Sequence, residues 1–96
     1  MGSQLRIFRE ARSSISLTAT HRLILCTIDR QGDLGATDEE ITVATAVAGN
    51  TLRPRRIELS YAGLVADSGV RRRSSRGRPV TVWVATETGK WEASHT

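Results

Sequence analysis

Apolar residues recur along this chain in clusters that polar, glycine-containing segments separate. The first cluster is the run HRLILCTI at 21–28, which is apolar on almost every side and therefore predicts a central buried helix. Periodicity alone leaves a buried strand as the alternative. Thr18 or Thr20 is suited to cap the helix, and the Gln-Gly-Asp sequence at 31–33 supplies the turn chemistry that ends it.

The next apolar cluster predicts a short helix with a well-marked start. Thr37 and Glu40 form a capping box: the Thr hydroxyl can accept from the Glu40 amide while the Glu side chain reaches back. Three acids in the first turn, at 38–40, also suit the positive end of the helix dipole. Apolar residues at 41, 44 and 47 supply the face that packs on the core.

A third helix follows a turn at 48–50, in which Gly49 is available for a left-handed residue. Asn50 or Thr51 is the expected cap, and the helix runs to about Ala62 and ends at Gly63. Thr51 is favoured because Pro54 then stands third in the helix, where no amide hydrogen bond is lost. Two short helices joined by a short turn containing Gly are typical of a helix-turn-helix.

Alternating residues after this helix predict two strands. Residues 64–67 (LVAD) indicate a strand, 68–79 a polar loop rich in Arg, Ser and Gly, and 80–84 (VTVWV) a second strand. A strand, a basic loop and a strand after a helix-turn-helix constitute a wing. The predicted fold class is α+β: a small winged helix-turn-helix with three helices and a two- or three-stranded antiparallel wing.

Both chain ends are predicted to lie outside this domain, which spans 18–86. Residues 1–17 are expected to form an N-terminal arm or a short helix over about 4–13, serving as a packing arm or a dimerisation element. The residues that suggest that helix lie on two adjacent rows: Leu5, Phe8 and Arg12 on one, and Ile7, Ala11 and Ile15 on the other. Residues 87–96 are expected to be a C-terminal tail that is loosely held or docks on a partner through Trp91.

Several segments resemble the winged-helix DNA-binding family. They are TDEEI at 37–41, NTLRPRR at 50–56, EL at 58–59, AGLV at 62–65 and GRPVTVW at 77–83. The chain is most similar to the short winged-helix proteins that bacteriophages of high-G+C hosts encode. The resemblance covers about 18–86 and implies the fold and DNA binding, but neither a target sequence nor a regulatory outcome.

The charge is concentrated in one segment. Residues 53–78 hold eight arginines and two acids, whereas the rest of the chain holds six basic residues and eight acids. A basic stripe on a mildly acidic domain is typical of a protein with a polyanionic partner. A high-G+C genome would explain why thirteen of the fourteen basic residues are Arg, but not why they cluster.

Composition excludes other classes. One cysteine, Cys26, excludes a disulfide framework and is typical of a reducing compartment. His21 and His95 with one thiol do not supply a conventional zinc site. No apolar run is long enough to span a membrane, and the N-terminus lacks a signal-peptide pattern. We therefore expect a protein of the bacterial or phage-infected host cytoplasm, without a metal, a cofactor or a membrane partner.

The third helix supplies the first candidate DNA contacts. Stepping 100° per residue from Leu52 places Leu59, Ala62 and Gly63 on the core side, and Arg53, Ile57 and Tyr61 on the outer side. In a helix-turn-helix the second helix enters the major groove, so Arg53 is the first candidate for a base contact. Asn50 and Thr51 are candidates for a base or phosphate contact, and Tyr61 for a phosphate contact.

Arg55 and Arg56 flank the core side. Their stems are expected to lie along the core edge, with their guanidinium groups at phosphates or paired with Glu39, Glu40 or Glu58; an error of one residue in the register is the alternative. In the wing, Arg71, Arg72, Arg73, Arg76 and Arg78 are candidates for contacts to the flanking backbone or the minor groove. Gly77 suits a tight turn or a close approach to DNA.

The remaining chemical side chains fit structural roles. Trp83 and Cys26 are expected in the core, and His21 partly exposed near a helix start. No nucleophile elbow, Gly-rich phosphate loop or metal-ligand spacing occurs, so an enzyme is the least expected class. Proteins that bind single-stranded nucleic acid stack the bases on several aromatic side chains. Because the whole chain has four Phe, Trp and Tyr residues, single-stranded nucleic acid is a weaker candidate partner than duplex DNA.

The leading hypothesis is a double-stranded DNA-binding protein that acts as a small transcriptional regulator and binds a two-fold site as a homodimer. The alternative is an interaction module that binds a host or phage protein, with Ile57 and Tyr61 as hydrophobic anchors.

Overall fold

The computed structural model describes residues 16–95, so the predicted N-terminal arm lies outside it apart from its last two residues. Four helices and a two-stranded antiparallel sheet make up the fold, in the order α1 (Ala19–Arg30), α2 (Asp38–Thr45), α3 (Gly49–Tyr61), β1 (Val65–Arg73), β2 (Pro79–Ala85) and α4 (Glu87–Ser94). A 3₁₀ turn at Gly32–Leu34 and a bridge between Ala36 and Trp83 connect α1 to α2 along the sheet edge. The α+β winged helix-turn-helix prediction is confirmed.

Helix α1 occupies the centre of the core, as its apolar sequence predicts. Its residues Ile24, Leu25 and Ile28 are fully buried, and the helix packs against α2, α3, α4 and β2. A buried strand at this position is thereby excluded. None of the helices between residues 16 and 95 combines the length and the hydrophobicity that a membrane crossing requires.

The start of α1 is held by an unusual capping box between Thr18 and His21. Thr18 Oγ1 accepts the His21 amide hydrogen at 3.2 Å, and His21 Nδ1 accepts the Thr18 amide hydrogen at 3.0 Å. With Nδ1 accepting, the neutral ring carries its proton on Nε2, which donates to Glu58 Oε1 at 2.6 Å. The prediction that His21 is partly exposed is wrong, because its ring is buried between the α1 cap and α3.

The predicted capping box of α2 is confirmed. Glu40 donates its amide hydrogen to Thr37 Oγ1 at 3.2 Å, and Thr37 donates its amide hydrogen to Glu40 Oε1 at 3.1 Å. The box starts an eight-residue helix whose only buried residue is Ile41.

The turn between α2 and α3 differs from the prediction. Ala46, with φ 62°, is the left-handed residue, while Gly49 is the first residue of α3 and Ala48 its N-cap. Thr51 is therefore inside the helix and does not cap it. The turn closes without a glycine because the Val47 amide donates to Thr45 Oγ1 at 3.1 Å.

The hairpin is longer than predicted, so the predicted loop at 68–79 is wrong. β1 continues to Arg73, and only residues 74–78 form the turn, where Gly77 has φ 80°. The strand contains a bulge: Asp67 pairs with Trp83 and Arg71 pairs with Thr81, so more residues separate the two positions on β1 than on β2. The bulge interrupts the alternation of apolar and polar residues, and for this reason the sequence pattern did not indicate that β1 continues.

The predicted C-terminal tail forms helix α4 over Glu87–Ser94. Thr86 caps it by accepting the Gly89 amide hydrogen at 3.0 Å, and its hydroxyl donates to the Gly63 carbonyl at 2.6 Å. Gly89 lies so close to the backbone that an added Cβ would be 1.9 Å from the Leu64 carbonyl oxygen. This backbone contact, with packing on α1 and β2, holds α4 on the domain.

Candidate nucleic-acid interface

An open cleft of about 590 Å³ lies between α2, the first half of α3 and one face of the hairpin. Arg53 and Arg56 come to it from α3, and Arg71 comes from β1. Trp83 also lines the cleft. The structure therefore brings together, beside one aromatic side chain, arginines from two basic segments of the sequence, 53–56 and 71–78. This concave face is the candidate nucleic-acid interface.

Helix α3 presents its residues as the helical wheel predicts. Leu52 and Leu59 are fully buried, whereas Arg53, Ile57 and Tyr61 are exposed. Among the described residues Arg53 forms no ion pair, and its guanidinium group is therefore available to a partner.

The other predicted contacts of α3 lie at its two ends. Asn50 and Thr51 are exposed in its first turn, close along the chain to Arg53. Tyr61 is the last helical residue and is 81% exposed. It lies about 12 Å from Arg53 along the helix axis, at 1.5 Å per residue.

Arg56 is held within the fold, and the register error is excluded. Its Nε and Nη2 bind the two carboxylate oxygens of Asp38 at 2.9 and 2.7 Å, and its guanidinium carbon lies 4.2 Å from the centre of the Trp83 ring. Ion pairing was predicted, but with Glu39, Glu40 or Glu58. Asp38 takes that place, while Glu39 binds Ser75 and Glu40 binds Arg72.

Arg55 points away from the cleft, in agreement with its predicted ion pair. Its Nη1 donates to Glu58 Oε1 at 2.7 Å, and the same oxygen accepts from His21. These hydrogen bonds, with that from Arg55 the stronger cause, lower the pKa of Glu58 below its ordinary value. Arg55 therefore belongs to a network that joins α3 to α1 rather than to the basic cleft.

The arginines of β1 alternate between two faces of the hairpin. Arg71 lines the cleft and binds Asp67 at 3.1 Å, whereas Arg72 lines a second cleft of about 350 Å³ on the other side. Arg72 Nε donates to Glu40 Oε2 at 2.8 Å, and this hydrogen bond raises the pKa of Arg72 and lowers that of Glu40. Only Arg71 of this pair shares a cleft with α3.

The last residue of β1 and the turn of the wing expose three further arginines. Arg73, Arg76 and Arg78 form no ion pair among the described residues, and Arg73 Nη1 donates to the Gly77 carbonyl at 3.0 Å. Ser75, in the same turn, donates its amide hydrogen to Glu39 Oε1 at 3.0 Å and its hydroxyl hydrogen to Glu39 Oε2 at 2.5 Å. The wing turn is thus bound to α2 while its guanidinium groups face outward.

The acids of α2 bind partners that the sequence reasoning did not name, although it expected Glu39 or Glu40 to pair with Arg55 or Arg56. Asp38 binds Arg56 of α3, Glu39 binds Ser75 of the wing turn, and Glu40 binds Arg72. The run of three acids at 38–40 was the signal in the sequence, but the capping box and the helix dipole already accounted for these acids. One helix start therefore positions both basic segments.

Trp83 was predicted in the core and is half-buried. It packs against the buried cluster with one side and lines the cleft with the other, beneath Arg56. Within residues 16–95 no group of three or more His, Cys, Asp or Glu side chains is arranged to hold a metal ion.

Structural comparison supports the winged-helix fold. The chain is similar to a point mutant of Lactococcus lactis ZitR, with a TM-score of 0.67 and 20% identity over 85% of this chain and 51% of ZitR. For S. aureus MepR bound to ethidium bromide, the TM-score is 0.63 and the identity 14%, over 97% of this chain and 64% of MepR. For disulfide-formed AbfR, the TM-score is 0.64 and the identity 20%, over 97% of this chain and 62% of AbfR. The chain thus spans half to two thirds of these proteins. No family profile and no curated protein matches the sequence.

Proposed function

We propose that the chain binds double-stranded DNA and acts as a small transcriptional regulator, with α3 in the major groove and the wing on the flanking backbone or minor groove. The convergence of Arg53 and Arg71 on one concave face, beside the wing turn, is the observation that carries this proposal. The likeness to ZitR and MepR supports it at the level of the fold.

The ion pairs divide the eight arginines among the eleven candidate contacts into four that are paired and four that are not. Arg53, Arg73, Arg76 and Arg78 form no ion pair within residues 16–95 and are the strongest candidates for binding phosphate or base. Four such contacts give a slope of log K against log salt of about −4. Arg71, which also binds Asp67, lines the same cleft as Arg53, and Asn50, Thr51 and Tyr61 are exposed on α3.

Arg55, Arg56 and Arg72 contribute by position rather than by direct contact. Each is bound to an acid of the same chain, and exchanging that partner for a phosphate would leave the acid unpaired. Arg56 and Arg72 tie α3 and the hairpin to α2, and Arg55 belongs to the network that joins α3 to α1. These contacts set where the unpaired arginines meet the duplex.

We also infer that specific binding takes two copies on a two-fold site, because one domain of this size covers a short stretch of sequence. The segment before Leu17 then forms the dimer contact, because α4 already packs on its own domain. The Arg-dominated composition supports a high-G+C source, such as a phage, and action in the cytoplasm of the bacterial host.

The experiment is fluorescence anisotropy of labelled duplex DNA, selected from a random pool, at two salt concentrations. Arg53→Ala is expected to lower the affinity for the selected duplex about tenfold and to relax the sequence preference of the protein. Lys90→Ala, which removes the same charge from the exposed surface of α4, is the matched control and should change affinity less than about twofold. Equal effects of the two variants, or no duplex binding, would contradict the proposal.

The second candidate is the protein-interaction module that binds a host or phage protein. The exposure of Ile57 and Tyr61 on α3, at 41% and 81%, favours it, because both can act as anchors on a partner surface. A complex that forms with a bacterial protein, persists at high salt and is lost in Tyr61→Ala would support this candidate. Arg53→Ala would leave such a complex largely unchanged.

A further inference from the structure

We propose that Glu39 competes with DNA phosphate for the wing turn and thereby limits the affinity of the protein for duplex DNA. The inference rests on the proposed function and deepens it. It assigns to a carboxylate of α2 a role in setting how tightly the basic surface binds any duplex.

The geometry at Ser75 is that of an anion-binding position occupied from within. One carboxylate accepts both the Ser75 amide hydrogen, at 3.0 Å, and the Ser75 hydroxyl hydrogen. Backbone amides and Ser hydroxyls are common donors to DNA phosphate. Arg76, the next residue, adds an attractive charge to the same carboxylate.

The position is accessible to a partner. Glu39, Ser75 and Arg76 are all exposed, so a phosphate can approach without opening the core. Glu39 also lines the cleft that contains Arg53 and Arg71, which places its negative charge on the proposed DNA surface. A phosphate arriving there must displace the carboxylate from Ser75 or lie beside it and be repelled.

The neighbouring acids differ in this respect. Asp38 binds the mostly buried Arg56, and Glu40 binds Arg72 on the opposite face of the hairpin. Neither carboxylate occupies a backbone donor of the wing turn. Glu39 is therefore the acid whose removal frees donors for DNA without releasing an arginine from the fold.

The test compares Glu39→Gln with Glu87→Gln in the full chain, by anisotropy of one labelled duplex at low and high salt. Both variants gain the same net charge, but Glu87 lies on α4, beyond the opposite end of the hairpin. We expect Glu39→Gln to bind about three- to tenfold more tightly than wild type at low salt, and Glu87→Gln to change by less than about twofold.

The direction of the change separates competition from a structural role. If Glu39 only held the wing in place, its loss would weaken binding. The inference is overturned if Glu39→Gln binds the duplex more weakly than the wild type, or gains no more affinity than Glu87→Gln. The proposed function still stands in that case, provided that the wild type binds the duplex. Absence of duplex binding by the wild type would instead overturn both.

Discussion

The two ends of the hairpin are held by different forces. At its base, Leu64, Val65 and Val82 are buried, and the backbone of α4 lies directly against Leu64. At its tip, which comprises residues 71–81, the contacts to α2 are the hydrogen bonds and ion pairs of Glu39 and Glu40. The base therefore depends on shape and burial, and the tip on charge.

Under the proposed function, this difference assigns stability to one end of the hairpin and DNA contact to the other. Apolar burial is nearly independent of pH and salt, whereas exposed charged contacts weaken when salt rises or carboxylates are protonated. A variant at the base should therefore lower the free energy of unfolding, and one at the tip should change the position of the wing with little effect on stability.

The largest expected effect is that of Gly89→Ala at the base. The new Cβ would lie 1.9 Å from the Leu64 carbonyl oxygen, so α4 must move, and we expect a loss of about 3 kcal/mol in the free energy of unfolding. Gly77→Ala at the tip is the control: its φ is 80°, but nothing lies within 4 Å, and strain alone costs about 1 kcal/mol. Urea unfolding measures both, and equal losses would contradict the comparison.

Truncating a buried side chain of the hairpin should have the next largest effect. Val82→Ala removes two methyl groups from a residue that is 1% exposed and should cost about 2 kcal/mol. Val70→Ala makes the same chemical change at a residue of the bulge that is 57% exposed, and should change stability by less than about 0.5 kcal/mol. Thermal unfolding of the pair would refute the distinction if the two midpoints fell together.

Arg56→Lys tests the contact that joins α3 to α2 and to Trp83 of β2. A lysine cannot bind both oxygens of Asp38 or stack on Trp83 as a planar group, so we expect a loss of about 1–2 kcal/mol. Arg55→Lys is the matched change in the more exposed pair with Glu58 and should lower stability clearly less, because solvent screens that pair. A larger loss for Arg55→Lys in urea unfolding would show that exposure does not decide the strength of these pairs.

The smallest effect is a local response of the tip to acid. Hydrogen bonds from Ser75 lower the pKa of Glu39 below 4.5, and the hydrogen bond from Arg72 does the same for Glu40. The unfolded chain therefore binds more protons, so this stabilisation is present above about pH 4.5 and is lost as pH falls through the folded-state pKa values. Between about pH 7 and pH 3 the NMR amide shift of Ser75 should move more than that of Ala36, and Glu39→Gln should reduce the movement.

Sequence reasoning succeeded where a local pattern determines the structure. The capping box of Thr37 and Glu40 and the buried side of α3 at Leu52 and Leu59 need only neighbouring residues to specify them. The basic segment predicted a charged surface, and Arg53 and Arg71 do meet at one cleft. In these cases the interaction that forms the structure lies within a few residues or follows from net charge.

It failed where a distant partner decides. The buried His21 donates a hydrogen bond to Glu58, 37 positions along the chain, which satisfies its ring nitrogen. The C-terminal segment is helical because Gly89 fits against Leu64, and β1 extends past Asp67 because a bulge restores its pairing with β2. The ion pairs of Arg56 and Arg72 likewise need the three-dimensional position of α2, which no periodicity contains.

The left-handed Ala46 has a consequence for association. Its backbone conformation costs an alanine roughly 1 kcal/mol, which a glycine would not incur, but a glycine would also let the two helices on either side reorient. An alanine has fewer accessible backbone conformations than a glycine at that position. Under the proposed function, less conformational entropy is then lost when α3 binds DNA.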